Sequence, residues 1–119
     1  MTYKDIEKEQ YKLCHEYSQQ CVPCEPESKL GFATQTQGLP INGLRHRPKA
    51  DTNGWFIWRG EELSEDADFF APLHTRHLVD YCPEALKFLG LPPGYRFLID
   101  GDYEDVWFDE SLLEVSYSY

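Results

Sequence analysis

Long apolar runs are missing from this chain. None approaches the ~18 residues of a membrane-spanning helix. The opening stretch, MTYKDIEKEQ, is polar and of mixed charge, so it has no apolar core of a secretory signal. The cytoplasm is the expected compartment. Lysine and arginine are scarce in the second half. Residues 1–60 carry eight Lys/Arg against seven Asp/Glu, a net of +1, whereas residues 61–119 carry three against fourteen, a net of −11; the sum is the chain's −10. Such a balance disfavours nucleic acid and anionic membrane as partners and favours cationic partners such as a basic protein. There is no G-x-S-x-G and no glycine-rich phosphate loop. The expectation is a protein without catalytic residues or cofactor.

Cysteine is limited to Cys14, Cys21, Cys24 and Cys82, which a reducing compartment keeps as thiols. Cys21-Val-Pro-Cys24 is a C-x-x-C, and Cys14 or His15 upstream could add zinc ligands, but a second C-x-x-C is lacking. A redox motif belongs at a helix N-terminus after a strand; this one follows a helix and is flanked by prolines. His74-Thr-Arg-His77 places two imidazoles at i and i+3, without the glutamate of a metalloprotease motif. Ordinary thiols, structural histidines and no metal are the expectation. A small zinc-binding protein or enzyme using Cys14, Cys21, Cys24, His74 and His77 is the alternative.

What the second half does contain is acid threaded through aromatics, from Trp55, Phe56 and Trp58 to Tyr103, Trp107 and Phe108. A disordered acidic tail carries no such residues, because it has no core to bury them in. At 119 residues the chain fits one domain, residues 1–119, large enough to fold without a staple. Thr2 and Asp5 form a capping-box pattern, and Tyr3, Ile6, Gln10, Leu13 and Tyr17 recur at helical spacing, predicting a helix over 3–19. Residues 30–36 read as a strand. Gly38 to Asn53 reads mostly as loop, with a short edge strand at most and a basic stretch from Arg45 to Lys49. Trp55 to Trp58 reads as a central strand. From His74 the spacing turns helical, and Pro83 suits the first turn of a second short helix. Tyr95–Ile99 and Glu104–Phe108 form a hairpin about a turn at 100–102, and 112–115 could add a last strand. The fold class is α+β: a mostly antiparallel sheet with an N-terminal helix and a central short helix pair packed on it. Trp55, Trp58, Phe97 and Trp107 are expected in the core.

Two groups of acids stand out. Glu61, Glu62, Glu65, Asp66 and Asp68 fall within eight residues, without the spacing of an EF-hand. Asp102, Glu104, Asp105, Asp109 and Glu110 surround the hairpin, alternating with apolar residues as an exposed face alternates with a buried one. Solvated acids are the plain reading. The sharper one is a surface on which a basic protein docks.

The stretch Gly54-Trp-Phe-Ile-Trp58, then Gly60-Glu-Glu-Leu-Ser64, Asp68-Phe-Phe70, Pro72-Leu-His74, His77-Leu78, Cys82-Pro83, Leu91-Pro-Pro-Gly-Tyr-Arg-Phe-Leu-Ile99 and Tyr103 to Leu113 resembles the thirty-third numbered family of bacterial immunity proteins (Imm33), formerly a domain of unknown function. The resemblance runs from about Gly54 to Val115, roughly half the chain. It implies an α+β protein encoded beside a toxin of a polymorphic or contact-dependent system, binding and neutralising that cognate toxin in the producing cell. It implies no binding residues position by position.

Overall fold

A computed structural model describes residues 2–114. Helix α1 spans Tyr3–Glu16. Its start is the expected capping box: the Thr2 hydroxyl accepts from the Asp5 amide, and the Asp5 carboxylate accepts from the Thr2 amide at 3.0 Å. Its end comes before the prolines. Ser18 turns into the left-handed region at φ 57°, and the Gln19 amide folds back onto the Cys14 carbonyl at 2.8 Å, a helix stop set by local capping. Ile6, Gln10, Leu13 and Cys14 form the buried stripe.

Six strands among the described residues make one mixed sheet: β1 (Lys29–Phe32), β2 (Ile41–Arg45), β3 (Thr52–Arg59), β4 (Ala71–His74), β5 (Tyr95–Asp100) and β6 (Tyr103–Phe108). Their spatial order is β4-β1-β3-β2-β5-β6. Only the β1–β3 pair is parallel. The class is thus α+β, with a mostly antiparallel sheet. The helix pair is a single α turn, α2 (Leu78–Tyr81), and a 3-10 helix from Pro83 to Phe88 with the proline in its first turn.

Three expectations change. Residues 41–45 are not loop or edge: β2 lies inside the sheet, hydrogen-bonded to β3 and β5. Its Asn42-Gly43 reads as a turn signal, yet Gly43 is small for a packing reason, since a Cβ there would clash with the edge of the Phe97 ring. Residues 71–74 add an edge strand just before the helical stretch expected from His74, which follows at Thr75–Tyr81, and Pro72 is tolerated there because an edge leaves one N–H unused. Residues 110–113 form a 3-10 turn where a strand was the expectation; Val115 lies outside the described residues.

The sheet buries both faces unequally. On one, Leu30, Phe32, Ile41, Trp55, Ile57, Phe97 and Ile99 pack under α1 and the 3-10 helix, against Leu13, Leu86 and Phe88. On the other, a smaller cluster of Ala33, Leu44, Phe56, Trp58 and Leu112 is roofed by Phe69 and Phe70 from the β3–β4 loop. Gln10 ties α1 to the first roof by donating to the Leu86 carbonyl at 2.9 Å, a buried bond.

Candidate partner-binding surface

All five acids of the first group are exposed and lie in the loop that leaves β3 and enters β4. Phe69 and Phe70 anchor this loop to the second sheet face, their rings 4.8 Å apart and in edge contact. The anchor is apolar, so the acids of the loop remain in water. Asp66, Asp68 and Ser64 line an open cleft of about 440 Å³ with Thr34, Gln35 and Thr36.

The second group divides. Ile41 pairs with both Arg59 and Ile99, so the loop and the turn carrying Asp102 emerge at the same end of the sheet. Across it, β3 and β5 are two strand spacings, about 10 Å, apart. Asp109 and Glu110 sit at the opposite end of β6, some 17 Å along the strand from Glu104 at ~3.4 Å per residue. Asp105 points to the second face, in the row Asp105–Leu98–Asn42–Trp58, while Glu104 points to the helix side and pairs with Lys87 at 2.7 Å.

Asp109 is committed to the fold. Its carboxylate accepts from the Ser111 hydroxyl at 2.6 Å and the Ser111 amide at 3.1 Å, capping the 3-10 turn, and pairs with Arg96 at 3.2 Å. The Ser111 hydroxyl first, then Arg96, holds its carboxyl below the usual carboxylate range.

Trp107 is a correction. Trp55, Trp58 and Phe97 are core, at 0%, 3% and 1% exposure, but Trp107 is 37% exposed, with Tyr103 at 59% and Phe108 at 50%. The reason is position. Among the described residues β6 is the outermost strand and neither roof extends over it; of its side chains, Val106 packs against the core. The hairpin acids therefore do not alternate with a buried face; they alternate with exposed aromatics. Arg96 lies over the Trp107 ring at 5.5 Å, and the Tyr95 and Phe108 rings meet at 5.3 Å. These surface aromatics were invisible to strand periodicity, which distinguishes two faces but not the middle of a sheet from its edge.

The stretch from Arg45 to Lys49 is not a basic surface patch throughout. Arg45 is 2% exposed and His46 is 1% exposed. Burial pushes the His46 pKa down, and its Nδ1 lies 3.1 Å from the Leu112 carbonyl. Arg47 donates to the Leu113 carbonyl at 3.1 Å.

The thiols belong to the helix-side core. Burial drives the Cys14 pKa up to about 12 and that of Cys24 up to about 11, so both are protonated at neutral pH and are poor nucleophiles. His74 and His77 sit on the β4 edge and the turn after it, their ring centroids 6.2 Å apart. Among the described residues no group of three or more His, Cys, Asp or Glu side chains is placed to hold a metal ion. No helix among them is long and apolar enough to cross a membrane.

The surface thus offers carboxylates and aromatic rings, the chemistry of charge-steered protein recognition. A family model for the Imm33-like domain matches residues 9–109, a span that takes in the second half of α1 and the C-x-x-C as well as the words from Gly54 to Asp109. No curated protein and no solved structure matches.

Proposed function

Since the chain belongs to the Imm33-like family, a family of immunity proteins, we propose that it binds and neutralises a cognate toxin in the cytoplasm of the producing cell. It does so as a stoichiometric inhibitor, without chemistry of its own. The observation that carries the mode of binding is the union of exposed acids and exposed rings: the 61–68 loop and the 102–110 segment each hold five acids and no Lys or Arg, and Tyr103, Trp107 and Phe108 stand beside the second. Aromatic side chains are the common anchors of protein interfaces, while rim charges act mainly on encounter. A basic toxin fits both.

The binding surface comprises Glu61, Glu62, Glu65, Asp66 and Asp68 together with Asp102, Glu104, Asp105 and Glu110. Asp109 shapes the segment from within. Reversing three loop charges, Glu62→Lys, Glu65→Lys and Asp68→Lys, is expected to slow association with the toxin domain encoded beside this chain by about 10- to 100-fold at low salt. Dissociation should change only a few-fold, and high salt should narrow the difference. Each exposed substitution should alter stability by no more than ~0.5 kcal/mol. Stopped-flow rates at two salt concentrations read this directly. Equal association rates at low salt would move the interface off the loop.

A further inference from the structure

Among the described residues the sheet has two free edges, and they are not alike. β4 is four residues long and carries Pro72, the kind of edge that resists pairing. β6 is six residues long, contains no proline, lysine or glycine, and pairs with β5 in unbroken register. The Asp109 amide donates to the Gly94 carbonyl at 2.7 Å. Residues of the same parity, 103, 105 and 107, therefore turn their backbone groups toward β5. Antiparallel alternation turns the N–H and C=O of Glu104, Val106 and Phe108 outward. Among the described residues no strand lies beyond them.

Both faces of that edge are lined with exposed rings: Tyr103 and Trp107 on one, Phe108 on the other. Residues 102–110 hold five acids and no Lys or Arg; Glu104 pairs with Lys87 and Asp109 with Arg96, which leaves Asp102, Asp105 and Glu110 to give the edge its negative charge. Two copies of this chain joined edge to edge would set two such rows against each other, and like charges opposed across a strand pair repel. An extended segment bearing lysine or arginine is the complementary occupant. We infer that β6 receives such a segment of the toxin as a seventh strand, the inference resting on the immunity reading above. Main-chain hydrogen bonds give the affinity, and the acids and rings select alternate side chains of the incoming strand.

The test uses the purified toxin domain encoded beside this chain. Val106→Pro removes a central outward N–H, adds a ring at the edge, and leaves the β5 ladder intact, because that N–H is not part of it. Val106→Ala keeps the N–H. Affinity should fall about 100-fold or more for V106P and stay within a few-fold for V106A, given the lost hydrogen bonds and blocked approach. In wild type, the amides of Glu104, Val106 and Phe108 should exchange quickly when free and slowly in the complex. A folded V106P variant with wild-type affinity overturns the inference, as does a complex in which those three amides still exchange quickly. Should V106P fail to fold, the exchange measurement on wild type decides alone. A dimer of the free chain that protects the same amides also overturns it, making a second copy the occupant. Failure of wild type to bind the toxin domain removes the immunity reading itself, a different result from binding away from the edge.

Discussion

Arg45→Met is expected to destabilise the chain by about 3–5 kcal/mol, the cost of breaking a buried hydrogen-bond network and stranding several carbonyls at once. Arg45 is 2% exposed, and its guanidinium donates to main-chain carbonyls from three parts of the chain. Nε reaches the Asn53 carbonyl at 2.9 Å; the Nη1 group reaches Val22 at 2.8 Å, Leu91 at 2.8 Å and Leu89 at 3.4 Å. It also lies over the Trp55 ring at 5.7 Å. The residue thereby joins the segment after α1, the start of β3 and the turn after the 3-10 helix. Methionine keeps the volume of the stem and removes the donors, and each buried carbonyl left without a partner costs ~1–3 kcal/mol. Urea unfolding of both proteins measures the difference. A loss below ~1 kcal/mol would mean that water reaches those carbonyls and that Arg45 is not the joint of the N-terminal half.

Trp55→Ala and Trp107→Ala should differ by several kcal/mol in stability and in the opposite sense in binding. Trp55 is fully buried, its Nε1 donates to the Leu89 carbonyl at 3.0 Å, and its ring packs on Phe97 at 5.5 Å. Truncation leaves a cavity and takes the shortest of the donors from the Leu89 carbonyl, about 3–5 kcal/mol. Trp107, 37% exposed on the edge strand, should cost less than ~1 kcal/mol in stability. As an interface anchor it should cost ~2 kcal/mol or more in toxin binding. Thermal melts and titrations of both variants check the pair. A Trp107→Ala protein that melts as early as Trp55→Ala would place that ring in the core and take the anchor away.

Local signals carried much of the fold. The Thr2–Asp5 box begins α1 where the sequence places it, the Trp55–Trp58 run is the middle of β3, and the hairpin closes at Asp100–Tyr103. Where the reading departed, a tertiary contact overrode a local signal. Asn42-Gly43 resembles a turn, but the glycine makes room for Phe97 within an interior strand. Arg45 looked like surface charge because nothing in its neighbours shows the carbonyls gathered around it. The acids of the candidate surface were visible as charge. Their division between the two ends of β6, the structural use of Asp109 and the exposure of Trp107 depend on strand order, which periodicity does not encode.

The most direct measurement is inhibition of the toxin domain that the immunity account expects to be encoded beside this chain, titrated with the purified protein while toxin activity is followed. The immunity account predicts a linear loss of activity that ends at equimolar protein. It also predicts recovery of active, unmodified toxin when the complex is separated in high salt. Undiminished toxin activity with this chain in excess would contradict the account, as would complete inactivation by a small fraction of an equivalent, the mark of an enzyme.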